Sequence, residues 1–444
     1  IYDRIMTTKN NLPLEETMRV IKIGGLGLGT VGSGVVRLLR DHQAKISSIT
    51  GCQLEIKTIV VHNLTKQRNV DLAGIELTDQ FEKVLHDPEI EGGVEVMGTV
   101  DTAKKYVEQL LRAGKHIITA NKDLIATYGA ELAELARENG CDLFYEASVA
   151  GGIPILRTIV NSFAADRIVE VKGIVNGTTN YILTQMSQQQ VSFAAALKAA
   201  QNLGFAEPDP TNDVEGIDAA YKMVILTQFA FGMNISMKQL KIGGISDVKL
   251  ADIQQAKELG YNIKLLGIAK LIEDQVDVSV GPVLVPKDQP LAAVQNENNA
   301  VLVTGAAVGE TMFYGPGAGE LPTANSVLSD IIAVTKDIVL KTTGSRFNDF
   351  QRDLKQARPA DVCYSYYFSL KVKDQPGQML KITQAMSEAQ ASFHLIIQSE
   401  LDDQHARIVM TTHQMSEAQR NQVVAAFGAL KDVEVVAAYK VLPE

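Results

Sequence analysis

Between Val20 and about Tyr145, short apolar runs alternate with stretches in which apolar residues recur every three or four positions. Continuous or period-two apolar runs predict strands, and the 3.6-residue period predicts helices. In order these are VIKIGG at 20–25, a helix over 31–42, LEIKTIVV at 54–61, a short EVM strand at 95–97, a helix over 101–113, KHIITA at 115–120, a helix over 129–138 and DLFYEA at 142–147. Strands separated by helices call for a parallel sheet covered by helices. After Gly151-Gly152-Ile153-Pro154 the rhythm changes to a helix over 154–162, a strand over 168–175, helices near 192–203 and 216–231, then VDVSVGPVLVP and AVLVTGAAV as strands. That succession predicts a separate α+β domain.

A glycine loop at Tyr314–Gly319 precedes a helical pattern over 326–339, which is expected to return the chain to the first domain. The polar stretch 343–360 reads as a linker. Beyond it, 365–372, 377–389, 394–399, 406–412, 416–429 and 433–439 spell β-α-β-β-α-β, a ferredoxin-like module. The expected fold class is thus α/β. Residues 18–145, with 315–342 returning, form a Rossmann-type dinucleotide-binding domain; 146–314 form an α+β catalytic and dimerisation domain, and 361–444 the βαββαβ module. Residues 1–17 are polar without a clear period and are expected to be a disordered extension, with the folded pattern starting at Met18.

The formal net charge of -10 argues against a general binder of nucleic-acid backbones. Apolar runs such as 223–231 are too short to span a bilayer. The three cysteines, Cys52, Cys141 and Cys363, are far apart and form no paired framework, as expected in the reducing cytoplasm.

The strand at 20–25 breaks into Gly27-Leu28-Gly29-Thr30-Val31-Gly32 and passes directly into a helix. In that context Gly27 makes the tight turn, Gly29 lets the backbone approach a pyrophosphate, and Gly32 lets helix and strand pack closely. The helix N-terminus offers N–H groups and partial positive charge to phosphates, so NAD or NADP is the expected cofactor. An acidic ribose partner after the second strand is missing; His62, Asn63, Lys66 and Arg68 stand there instead, which favours a 2′-phosphate and hence NADP.

Lys222 lies in GIDAAYKMVILTQFAF, apolar on nearly every side, with Asp218 one turn earlier on the same face. It is either poised for proton transfer or paired with Asp218 at the wet edge of the helix. The preceding loop concentrates Glu207, Asp209, Asp213 and Glu215, either as a solvated turn or as carboxylates for a substrate ammonium. A calcium loop is excluded by its prolines and by the lack of a glycine at the sharp turn. Thr178, in VNGTTNYI, is either part of an N-cap cluster or a donor near the cofactor. Lys122 follows a strand at the carboxyl edge of the first sheet, where ligands of open α/β sheets bind.

Together, GLGTVGSG, TANKDLIA, YEASVAGGIPI, GIVNGTTNYIL, GFAEPDPTNDVEGIDAAYK and the closing module with DQPGQML resemble homoserine dehydrogenase in its long form with a C-terminal ACT domain. The resemblance covers residues 18–444 and implies interconversion of L-homoserine and L-aspartate 4-semialdehyde with NAD(P), in threonine, methionine and isoleucine biosynthesis. It implies that Lys222 is the acid/base lysine and that Asp218 and Lys122 complete the catalytic group. It further implies that Glu207, Asp213, Asp218, Thr178 and Lys122 bind substrate, and that Lys122, Thr99, Gly317 and Gly319 join the glycine loop at the cofactor. A sodium ion is implied at the Glu146 carboxylate and the carbonyls of Val149, Gly151 and Ile153, in a loop that otherwise reads as a glycine hinge. L-Threonine is the implied effector at the ACT domain, and a homodimer or homotetramer the implied assembly. The strand VDVSVGPVLVP supports the assembly, since it needs cover on both faces. Two other classes remain: a thioester-forming dehydrogenase, which needs a reactive cysteine, and a non-catalytic nucleotide and amino-acid sensor.

Overall fold

The computed structural model describes residues 18–443; the expectation for residues 1–17 lies outside them. Two compact units emerge. One takes the chain up to Thr119 with Leu132–Tyr145 and Val327–Arg346, and the other takes Ala120–Glu131, Glu146–Ser326 and the chain from Phe347 onward.

The first unit holds a parallel sheet of β1 (Val20–Leu26), β2 (Gln53–Val60), β3 (Glu76–Thr78), β4 (Ile90–Glu95), β5 (His116–Thr119) and β6 (Leu143–Phe144), in the order β3-β2-β1-β4-β5-β6. This is the dinucleotide-binding order, with its switch point between β1 and β4. The fourth strand is not EVM at 95–97 but Ile90–Glu95. Its glycines, Gly92 and Gly93, dilute the apolar signal, yet a Cβ on them would meet the His116 carbonyl and the Leu110 side chain at 3.0 Å. The buried Glu95 ends it by accepting from Thr119 Oγ1 at 2.6 Å and from the Met97 N–H at 2.8 Å. The helix expected over 129–138 begins earlier, at Lys122.

In the second unit one long sheet runs through Gly309–Pro316, Asn298–Gly305, Ile168–Ile174, Tyr261–Ile272, Gln275–Pro286, Val433–Val441, Cys363–Lys373, His405–Thr412 and Phe393–Asp402. The last four strands with the helices Gln378–Glu388 and Glu417–Ala429 make the βαββαβ module. Its sheet continues that of the catalytic part, because Val283 and Leu284 pair with Lys440 and Val441. The 343–360 stretch is sewn down rather than free: Lys355 and Gln356 pair with Gln275 and Val276, and the Arg352 N–H donates to the Gly232 carbonyl at 2.8 Å.

The return to the first unit starts at Val327 rather than 315. Residues before it are held by strand pairing of Gly309–Pro316 with Asn298–Gly305 and by Ser326 Oγ donating to the Gly151 carbonyl at 2.6 Å. Strand Gln275–Pro286 is covered within the chain, so the cover expected from a second copy is not required there. The helix Ile217–Phe231 lies close on the sheet because Gly267 leaves space: a Cβ there would stand 2.3 Å from Met223 Cγ. That close approach sets the position of Lys222, next along the helix.

Candidate active site

In the first unit the glycine turn opens on a cavity of ≈ 570 Å³. Gly27 has φ +100°, and a Cβ on it would stand 2.9 Å from the Val96 carbonyl; Gly32 would meet the Gly27 carbonyl at 2.7 Å. Among the described residues nothing lies within 4 Å of a Cβ built on Gly29, so the backbone there is open, the access a pyrophosphate would need. Gly27, Leu28, Gly29, His62, Lys66, Arg68 and Thr99 line the cavity. Thr30 and Val31 instead begin the helix Thr30–Asp41, and Gly32 is buried within it.

Arg68 is committed differently from expectation. Its guanidinium donates to the carbonyls of Leu28 (3.3 Å), Lys66 (2.8 Å) and Asn63 (2.8 Å), tying the 62–69 loop to the glycine turn. Exposed Lys66 is the freer cation. Asp79, beyond β3, also faces the cavity, as do Thr102 and Tyr106; none was singled out by sequence, since they enter through topology rather than motif.

A second cavity, ≈ 610 Å³, lies within the other unit and gathers Lys122, Thr178, Glu207, Asp213, Asp218 and Lys222. Lys222 Nζ donates to Asp218 Oδ2 at 2.7 Å and to the Val175 carbonyl at 2.6 Å. Lys122 Nζ stands 3.3 Å from Asp218 Oδ1, so one carboxylate holds two ammonium groups. Asn176 bridges Asp213 Oδ1 (2.7 Å) and Asp218 Oδ2 (2.8 Å) through Nδ2, while its side-chain oxygen caps the helix Gly177–Gln189 by accepting from the Thr179 N–H. Thr178 Oγ1 donates to the Phe205 carbonyl at 2.7 Å. Glu207 is exposed at the rim. The i,i+4 pairing of Lys222 with Asp218 is present, and Lys222 lines the cavity as well.

The two linked carboxylates are pushed apart. Burial alone would raise Asp218, but Lys222 and Lys122 override it and hold its carboxyl below the ordinary value. Asp213 is raised, first by burial and then by the charge of Asp218. Opposite shifts on neighbouring acids are a mark of functional sites. Burial opposes the Lys122 ammonium as well, but Asp218 and Asp123 outweigh it and raise its value. Gly317 and Gly319 line this lysine cavity rather than the one at the glycine turn.

The loop 146–153 carries left-handed Ala150 (φ 52°) and Gly151 (φ 43°) in succession. The Glu146 oxygens accept from the Leu156 and Arg157 N–H groups at 2.8 and 2.7 Å, capping the helix Ile155–Ser162, and burial still raises this carboxyl. The Gly151 and Ile153 carbonyls each accept one hydrogen bond, from Ser326 and Ile155. The Gly151 and Ile153 carbonyls each keep a second lone pair, and oxygen donors of this kind suit a hard monovalent cation. Cys141 is buried, which pushes its thiol up to about 11, opposite to what a thioester-forming nucleophile needs.

A glycine-turn dinucleotide cavity in one unit and a lysine–carboxylate cavity in the other define an NAD(P)-dependent oxidoreductase. Residues 154–332 match the family described as homoserine dehydrogenase, 27–146 its NAD binding domain, and 366–432 the ACT domain. The chain is 48% identical over 421 residues to homoserine dehydrogenase of Bacillus subtilis (strain 168), covering 94% of this chain and 96% of that protein. It belongs to the homoserine dehydrogenase family. The enzyme of Lactococcus lactis subsp. lactis (strain IL1403) is 38% identical, over 95% of this chain and 99% of that protein. Among solved structures, a homoserine dehydrogenase from Thiobacillus denitrificans superposes with a TM-score of 0.91 at 37% identity, covering 96% of this chain and 99% of that one. A hyperthermophilic archaeal homoserine dehydrogenase in complex with NADPH gives a TM-score of 0.59 at 26% identity, over 72% of this chain and 98% of that one. Membership in an enzyme family, with the catalytic part matched, leaves the sensor alternative without support. No helix among the described residues is long and apolar enough to cross a membrane.

Proposed function

We propose that the lysine cavity interconverts L-homoserine and L-aspartate 4-semialdehyde. The observation that carries this reading is the hydrogen bonding of Lys222. An ammonium has three donors. Two are spent on Asp218 and the Val175 carbonyl, and the third is left for the substrate oxygen. A bound nicotinamide supplies the hydride donor or acceptor. During reduction Lys222 gives its proton to the aldehyde oxygen, and during oxidation it takes the hydroxyl proton back. Asp218 holds Lys222 in place and balances Lys122, which faces the substrate carboxylate or hydroxyl. Glu207 and Asp213 hold the substrate ammonium. Absorbance at 340 nm with homoserine and each cofactor tests this; no turnover with either refutes it.

NADP(H) is the preferred cofactor and NAD(H) the weaker one, since Lys66 and His62 line the cavity beside the glycine turn. A sodium ion is held by Glu146 with the carbonyls of Val149, Gly151 and Ile153, and stabilises the left-handed loop. Replacing sodium with a bulky organic cation is expected to lower the melting temperature; an unchanged melt speaks against the ion.

L-Threonine acts at the ACT domain, where Asp374-Gln375-Pro376-Gly377 precedes the helix Gln378–Glu388 and Gly377 has φ +91°. Because the module's sheet continues the catalytic sheet, threonine should be titrated against the full chain and a Gly377→Val variant, not a truncation. Inhibition that survives the substitution unchanged places the sensor elsewhere. The enzyme serves amino-acid biosynthesis in the cytoplasm as a homodimer or homotetramer, with no nucleic acid or membrane partner. Light scattering reads the assembly.

A further inference from the structure

Asn299 is 1% exposed, lines the lysine cavity, and its Oδ1 has no hydrogen-bond partner among the described residues. Its placement is rigid. It sits in the strand Asn298–Gly305 opposite Gly315, and the segment leading to it is pinned through its carbonyls. Asn180 Nδ2 donates to Asn296 (2.8 Å) and Asn298 (3.2 Å), and Asn180 Oδ1 in turn accepts from buried Lys264 at 3.0 Å. The Asn299 amide itself lies flat on Gly317: a Cβ at 317 would stand 2.0 Å from Asn299 Nδ2 and 2.5 Å from Oδ1. Gly317 thus makes room for this amide.

A buried acceptor left unpaired costs free energy comparable to a lost hydrogen bond, so it calls for a partner supplied on binding. We propose that Asn299 is a ligand-binding residue of this cavity, its carboxamide oxygen taking an N–H donor of the bound small molecule. That donor is either the ammonium of the amino-acid substrate or the carboxamide of the nicotinamide. The inference rests on the cavity being the reaction site.

The test measures KM for homoserine and for NADP, with the melting temperature of the ligand-free protein, in wild type, Asn299→Leu, Asn299→Asp and Lys222→Ala. Asn299→Leu is expected to raise one KM and leave the other unchanged: roughly threefold to tenfold for NADP where the neutral carboxamide is the donor, and more than about tenfold for homoserine where the charged ammonium is. Whichever KM moves identifies the donor. Asn299→Asp keeps an acceptor and should restore that KM. The Asn299→Leu melt should not fall, because no internal hydrogen bond is lost. Unchanged KM values with a lowered melt would make Asn299 structural and overturn the proposal, as would an aspartate that loses as much as leucine. If Lys222→Ala keeps its kcat, the reaction-site reading falls as well; if it loses kcat while both KM values in Asn299→Leu stay put, only the present proposal falls.

Discussion

Asp218→Asn removes the one anion that two lysines share. In the folded chain its carboxylate accepts from Lys222 at 2.7 Å and from Asn176 at 2.8 Å, and faces Lys122 at 3.3 Å. Asparagine keeps the shape but turns an N–H or a neutral oxygen toward each ammonium. Breaking a buried pair by removing one partner costs about 3–5 kcal/mol. Because Lys122 is about a third exposed, its share is screened, and about 3 kcal/mol is expected at neutral pH. At ~2 °C per kcal/mol for a large unit, the melting temperature should fall by roughly 6 °C. The pH signature follows from the depressed Asp218 value. Its contribution is fully present above the unfolded value of about 3.9 and is lost as pH falls through the lower folded value. The gap between wild type and variant should therefore be constant above about pH 4 and shrink below it. In the 340 nm assay kcat should fall ~10²-fold, as expected when an acid/base group loses its orientation. A kcat within threefold of wild type, with a stability gap independent of pH down to 3, would refute the arrangement.

Lys66→Ala should raise KM for NADP while leaving KM for NAD nearly unchanged, whereas Arg68→Ala, which frees three carbonyls of the glycine-turn wall, should raise both; equal effects from Lys66→Ala would remove its phosphate-reading role. Lys264 is buried with no carboxylate partner among the described residues and its value falls to about 8, so stability should rise with pH between about 8 and the unfolded value near 10.4, where the unfolded chain binds the extra proton. Lys264→Met should flatten that rise, as read by chemical denaturation at each pH; an unaltered slope would contradict the burial argument.

The alternation of strands and helices was legible before Tyr145 because each element carries its own period, and Gly27-x-Gly29-x-x-Gly32 stood in the order that gives it meaning. β4 was misplaced because Gly92 and Gly93 replace apolar side chains where neighbouring residues fill the space. The long strand Tyr261–Ile272 was not foreseen: its apolar run carries Lys264, Gly267 and Lys270, and Gly267 matters only through contact with Met223. Lys222 and Asp218 could be paired by helical spacing alone. Asn176 and Asn299 could not, since one links carboxylates five residues apart in chain and the other meets Gly317 across a hairpin. The commitment of Arg68 to three backbone carbonyls likewise depends on a loop geometry that composition does not encode.

The most direct test of the central claim is kcat for homoserine oxidation by Lys222→Ala, with NADP affinity measured on the same protein by fluorescence titration. Loss of a positioned acid/base predicts a fall of roughly 10²–10⁴ in kcat with cofactor affinity near wild type. Near-wild-type turnover would contradict the claim that the third donor of Lys222 carries the proton.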